Sequence, residues 1–294
     1  MAPENLSMDN STTVYLNGDY LPLADARVPV LDRGFIFGDG VYEVIPVYAG
    51  RLFRLDEHLR RLGNSLAGVR ISEPMNNAAW QAMLEELISR QQYQGDAYIY
   101  MQITRGVAPR DHACPENVTP TVFAMCNPIA PPDPALLANG IKAITLDDIR
   151  WQYCHLKTIA LLPNILMKQQ AVDQDASEAI LVRDGMVTEG TASNVFLVKN
   201  DTLFTPPAVK HLLPGITRDL VIELANENSI PFEEVLIPEA WLNEALEIWV
   251  TSSTREILPI TTLNDQPVGN GRPGPHWQRI TGIYERYKQG LRSG

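Results

Sequence analysis

WQYCHLKTIALLPN, residues 151–164, sets one lysine, Lys157, directly before an apolar run. Burying an ammonium is costly unless it is paired or has lost its proton, and the neutral amine is the form that attacks carbonyls. Read alone, the stretch better describes a lysine that lays its stem on an apolar patch and keeps its head in water. The rest of the chain decides between the two. Lys157 is one of only six lysines, and none precedes Lys142.

The 294 residues are 45% hydrophobic and 20% charged, enough apolar material for one large domain or two ordinary ones. A net charge of −11 argues against nucleic-acid or anionic-membrane partners. No stretch approaches a spanning helix, and the polar start MAPENLSMDNSTTV lacks a signal pattern. Cys114, Cys126 and Cys154 are odd in number and form no CxxC, which excludes a thiolate zinc site. The expectation is a cytoplasmic protein without a metal.

Working outward, Pro128 to Pro134 holds four prolines and marks a domain boundary. The expected organisation is a tail over 1–13, a small domain over 14–127, a linker over 128–135 and a larger domain over 136–294. In the first, Val14–Leu16 and Tyr20–Leu23 flank Asn17-Gly18 as a hairpin. Val41–Tyr48 alternates as a strand, and Asp56 caps a helix with Leu59, Leu62, Leu66 and Val69 on one face. Trp80–Tyr93 is a second helix. Gly34, Gly38 and Gly40 precede a strand, so a dinucleotide fingerprint is excluded. In the second domain, hairpins form about Asp184-Gly185 and between Val195–Lys199 and Thr202–Thr205, with Glu189–Asn194 as a polar loop. Helices are expected near 163–173, 216–226 and 276–288. The fold class is therefore α+β in two domains, the second the more barrel-like.

Four features suit an aldehyde cofactor on Lys157. The helix start Gly215-Ile216-Thr217 offers free N–H groups to a phosphate. Thr251 to Thr254, including Ser253, adds hydroxyl donors, and Arg61 adds a guanidinium. Glu189 can hold a pyridine nitrogen protonated.

DRGFIFGDGVYEV, EHLRRL, HLK, EGTASNVF, LPGITRD and VTSSTREI, in this order, resemble the fold-type IV pyridoxal-phosphate aminotransferases. That group includes D-amino-acid transaminases, branched-chain aminotransferases and aminodeoxychorismate lyase. The resemblance runs from about Val14 to the C-terminal helix. It implies a small N-terminal α/β sandwich-like domain and a larger C-terminal pseudo-barrel domain. It also implies pyridoxal 5'-phosphate as a Schiff base on Lys157, which acts as proton shuttle. Glu189 would sit at the ring nitrogen, with Arg61, Ile216, Thr217 and Ser253 at the phosphate. ITRGVAPRDH resembles the D-alanine transaminase pattern, in which Arg110 and His112 grip the substrate carboxylate and Tyr42 assists. That pattern implies D-amino acids and 2-oxo acids as substrates, and a homodimer with composite sites. The chain departs from it at Ala192, where D-alanine enzymes tend to carry serine. A branched-chain L-aminotransferase, an (R)-amine transaminase and a protein that only sequesters cofactor are the alternatives.

Overall fold

The computed structural model describes residues 12–91 and 95–293. Most of the expected N-terminal tail, and Tyr93 at the end of the expected second helix, lie outside them. Contacts divide the chain into two units, residues 1–129 with 156–160, and residues 130–155 with 161–294. Residues 156–160 were expected within the second domain. They group with the first because their backbone bonds to it, as described below.

The first unit is an antiparallel six-stranded sheet with two packed helices. Its strands are β1 (Thr13–Leu16), β2 (Asp19–Pro22), β3 (Gly40–Tyr48), β4 (Arg51–Leu52), β5 (Ala97–Thr104) and β6 (Thr121–Pro128), in the order β2-β1-β6-β5-β3-β4. Asn17, with φ of 51°, turns the chain between β1 and β2 in the left-handed region, as Asn-Gly hairpins require. Helix α1 (Arg33–Phe37) precedes β3, and α2 (Leu55–Gly68) and α3 (Asn77–Ser89) follow it. Leu59, Leu62 and Leu66 of α2 join Trp80, Leu84 and Leu87 of α3 against Val41, Ile45 and Ile99 of the sheet. The expected Asp56 cap is corrected: Arg54 holds the N-cap position, no side chain caps it, and Asp56 lies in the first turn. Asn76 caps α3.

The second unit contains α4 (Pro134–Asn139), β7 (Ile141–Asp147), α5 (Leu162–Val172), β8 (Glu178–Arg183), β9 (Met186–Gly190), β10 (Asn194–Lys199) and β11 (Thr202–Thr205). Then come α6 (Ile216–Glu227), β12 (Phe232–Glu234), β13 (Ile237–Pro238), α7 (Trp241–Glu244), β14 (Glu247–Ser252), β15 (Glu256–Leu263), β16 (Gln266–Pro267) and α8 (Pro275–Ser293). The strand path runs β12-β11-β10-β14-β15-β7-β8-β9-β13, with β16 beside β15. Its two end strands are joined in the chain by Val235 and Leu236 alone. Three Cα steps reach at most about 11 Å, so the sheet must curl until its ends nearly meet. The enclosed face carries one cluster drawn from most strands, including Ile141, Val187, Val195, Ile237, Val250 and Leu258. This is the pseudo-barrel. No helix among the described residues is long and apolar enough to cross a membrane.

Among the inward positions of β3 stands one carboxylate. Glu43 is fully buried and accepts from Arg61 Nε at 2.8 Å, Arg61 Nη2 at 2.7 Å and His58 Nδ1 at 2.8 Å. Burial pushes the Glu43 carboxyl up, but the charge and hydrogen bonds of Arg61, with His58, hold it far below the usual carboxylate range. Burial also keeps His58 neutral by lowering its pKa, against the pull of Glu43. The pairs pin α2 to β3. Because the folded pKa of Glu43 is depressed, its stabilisation is present above the unfolded value of about 4 and is lost as pH falls. Glu43→Ala should cost about 3–5 kcal/mol in urea unfolding at neutral pH, by removing the buried carboxylate that offsets the Arg61 charge. The deficit against the wild type should shrink as pH falls below about 4.

Candidate active site

Lys157 is seated on the first unit by its main chain. β4 covers only Val47 and Tyr48 of β3, leaving the Gly40–Tyr42 edge for residues 157–159. Tyr42 N–H donates to the Lys157 carbonyl at 2.9 Å, and Ile159 N–H donates to the Gly40 carbonyl at 3.1 Å. Lys157 N–H donates to Ser65 Oγ of α2 at 3.1 Å. Gly40 is packed between this segment and β5, since a Cβ there would lie 2.6 Å from the Ile103 carbonyl oxygen and 3.0 Å from Ile159 Cδ1. Half-buried Lys157 places Nζ over the Tyr42 ring, 4.1 Å from its centroid, and Tyr100 flanks that ring. Among the described residues its Nζ makes no hydrogen bond or ion pair.

Arg61 reaches this unit's core through Glu43, which fixes the plane of its guanidinium. Arg110 and His112 are exposed on the loop after β5 and lie against one ring, that of Phe37. The Arg110 guanidinium carbon is 5.4 Å from the Phe37 centroid, and the His112 and Phe37 rings are 5.6 Å apart. Between them, the Asp111 carbonyl accepts from Arg33 Nη1 at 2.6 Å, and Arg33 is held by Asp39. No hydrogen bond, ion pair or ring contact among the described residues joins Arg110 or His112 to Lys157 or Tyr42.

The second unit holds Glu189, and here the loop expectation is corrected. Glu189 and Gly190 end β9, Asn194 begins β10, and only residues 191–193 form the turn. Glu189 is buried. Its Oε1 is paired with Arg150 Nη1, while its Oε2 accepts from Leu213 N–H at 3.0 Å and Asn194 Nδ2 at 3.2 Å. Asp148 grips the same arginine at Nε and Nη2, both at 2.8 Å. Burial pushes the Glu189 carboxyl above its ordinary range, and Arg150 and the Leu213 N–H oppose that shift without cancelling it. The result is a fixed carboxylate with raised proton affinity, suited to holding a proton on a heteroaromatic nitrogen. Sequence reading missed Arg150. Its one cue is Asp148-x-Arg150, a spacing that puts both side chains on one side of an extended backbone.

Asn194 also links Glu189 to the start of α6. A Cβ at Gly215 would lie 2.0 Å from Asn194 Oδ1, so that close approach requires glycine. Gly215 is the N-cap, no side chain caps the helix, and Ile216 and Thr217 form its buried first turn. Ser253 lies half-buried in the turn after β14, the strand on which α6 packs. At the end of that strand Thr251 Oγ1 is buried without a partner. Ala192 is exposed.

The amino-transferase class IV family model matches residues 40–263. A D-alanine aminotransferase from Bacillus licheniformis is 43% identical over 89% of this chain and 92% of its own. One from Staphylococcus haemolyticus is 36% identical over 94% and 98%. Among solved structures, the branched-chain amino acid aminotransferase of Escherichia coli superposes with a TM-score of 0.88 at 28% identity, covering 93% of each chain. A branched-chain enzyme from T.th., solved with pyridoxamine 5'-phosphate, gives 0.90 at 25% identity and 95% of each chain. With an uncommitted lysine on one unit and a buried carboxylate beside an open helix start on the other, the chain belongs to the class IV aminotransferases.

Proposed function

We propose that the chain is a pyridoxal 5'-phosphate-dependent D-amino-acid transaminase, converting D-alanine and 2-oxoglutarate to pyruvate and D-glutamate. The observation that carries this reading is Lys157, an amine held in place by its backbone with its Nζ uncommitted. The residues fit the cofactor. The α6 start lacks a side-chain cap, Thr251 Oγ1 is an orphaned buried hydroxyl, and Glu189 offers a buried carboxylate. Bound there, the cofactor supplies a carbonyl to take the amino group and a ring to spread the charge left at the substrate Cα.

The chain's own residues do the rest. Lys157 Nζ removes and returns the Cα proton, acting as base and then acid. Glu189 Oε2 holds a proton on the ring nitrogen, and Arg150 with Asp148 keeps that carboxylate in place. Ile216 and Thr217 N–H groups, the Thr217 and Ser253 hydroxyls, and Arg61 bind phosphate. Arg110 and His112, with Tyr42, bind the substrate carboxylate, so one enantiomer presents its Cα–H. The relatives named D-alanine aminotransferases support the D-amino acid reading. The solved branched-chain enzymes favour the L-specific alternative, and an (R)-amine transaminase would need no carboxylate grip.

We place the enzyme in the cytoplasm, where its three free cysteines suit a reducing medium. We also read it as a homodimer with composite sites. Val30, Leu31 and Phe35 are exposed at 71%, 48% and 76% beside Val107, at the root of the Arg110–His112 loop. The Asp32–Val107 bridge and the Ala108 N–H to Leu31 carbonyl bond bring them together. Such a patch marks an interface, and a second copy would cover it while receiving the loop.

Comparing 2-oxo acid formation from D-alanine and L-leucine tests the specificity, and faster turnover of L-leucine would transfer the chain to the branched-chain reading. Lys157→Ala should lose at least about 10³-fold in turnover, and borohydride followed by peptide mapping should label Lys157 alone in the wild type. Arg110→Ala should raise KM for D-alanine by about tenfold or more while leaving an amine without a carboxylate nearly unaffected. Phe35→Glu should sediment as a monomer and lose activity together with the dimer.

A further inference from the structure

Glu178, the first residue of β8, is fully buried and plays no part in the chemistry above. No hydrogen bond or ion pair among the described residues joins it to Glu189. Its Oε1 accepts from Thr191 N–H and Ala179 N–H, each at 3.1 Å, and from the Thr191 hydroxyl. Its Oε2 accepts from Ser193 Oγ at 2.9 Å and Arg255 Nη2 at 2.7 Å. One carboxylate therefore ties together two turns far apart in sequence. One is the Thr191–Ser193 turn following Glu189, and the other is the Ser252–Arg255 turn that carries Ser253. Asn164 Nδ2 closes the first from behind by donating to the Thr191 carbonyl at 2.8 Å. The Arg255 backbone N–H bonds Ser252 Oγ at 3.4 Å in the second.

Both hydroxyls of the Thr191-Ala192-Ser193 turn are thus spent on Glu178. Neither can donate to a ligand, and the exposed member of the turn is Ala192, whose polar atoms are backbone alone. Burial pushes the Glu178 carboxyl up, but Arg255 and the Thr191 hydrogen bond outweigh it and keep the group ionised. A carboxylate with this many donors is an anchor for its neighbours and cannot itself accept from a ligand.

We propose that Glu178 is a positioning residue for the cofactor, locking the Ala192 and Ser253 turns into one prearranged set of donors for a phosphorylated ligand. Arg255 is its partner, acting through the same carboxylate. The proposal rests on the cofactor reading above and adds to it two residues that need not touch the cofactor.

The test uses the full-length chain and its Glu178→Gln, Arg255→Gln, double and Ser193→Ala variants. It measures dissociation constants for pyridoxal phosphate and inorganic phosphate well below each melting temperature. Losing the charge-assisted hydrogen bonds that fix the two turns leaves their donors no longer preset, which weakens anion binding by about tenfold or more. Glu178→Gln and Arg255→Gln should each weaken both ligands by that amount, and the double variant little more than either single one, because they act as a unit. If Glu178→Gln does not fold, Ser193→Ala, which removes one hydroxyl from the same carboxylate, should show a smaller shift in the same direction. A lowered melting temperature with both affinities unchanged would mean Glu178 is purely structural and would overturn the proposal. If wild-type protein binds no pyridoxal phosphate, the cofactor reading fails instead, a result distinct from unchanged affinities among the variants.

Discussion

The candidate chemistry depends on holding an amine in place without neutralising it through a counter-ion. A carboxylate against Lys157 would have fixed its position and occupied its nitrogen at once. Here the main chain does the fixing: Tyr42 N–H, Ser65 Oγ and the Gly40 carbonyl hold residues 157–159 on the free edge of β3. Its Nζ lies over the Tyr42 ring and, among the described residues, makes no hydrogen bond or ion pair. Such a cation–π contact is worth about 0.5–2 kcal/mol, enough to bias the rotamer and too little to trap the ammonium. Placement and reactivity are thereby separated.

Two buried carboxylate–arginine pairs in this chain serve different ends. Glu43 meets Arg61 through both oxygens and has His58 besides, so its charge is fully answered and its proton affinity collapses. Glu189 shares its arginine with Asp148, which holds Arg150 through two nitrogens. Desolvation prevails over Arg150 and the Leu213 N–H at Glu189, the Asp148 charge adds to it, and proton affinity rises. The first arrangement suits a strut and the second an acceptor that must interact strongly with an N–H. What separates them is how far charged donors offset burial: Arg61 gives Glu43 two hydrogen bonds and His58 a third, whereas Arg150 gives Glu189 one.

Elements whose cause is local were legible in the sequence. Asn17-Gly18 and Asp184-Gly185 name their hairpins through left-handed φ values of 51° and 53° at the first turn residue. The α2 stripe of Leu59, Leu62 and Leu66 needs only its own spacing. The residues that resemble a known family named the lysine and the glutamate. Three features escaped because their causes are distant. Residues 156–160 group with the first unit through bonds to β3, more than 110 positions earlier. Arg150 meets Glu189 across 39 positions, and Glu178 meets Arg255 across 77. Asp56 looked like a cap by residue type, but the helix begins at Leu55, two residues sooner than a cap at Asp56 would place it, after a left-handed Arg54. Neither periodicity nor composition reports a partner that far along the chain.

Ala192 shows how a motif's composition misleads about which atoms face a ligand. A serine replaced by alanine reads as a lost hydrogen bond. Yet Thr191 and Ser193, the turn's hydroxyl-bearing residues, face inward to Glu178, and the exposed position between them carries the methyl. What such a turn offers outward is its backbone, and its geometry is set by the buried hydroxyls. Alternation explains the pattern: on a tight turn between strands, flanking side chains go one way and the middle one the other. A hydroxyl at 192 is not needed for this packing, which Thr191 and Ser193 carry.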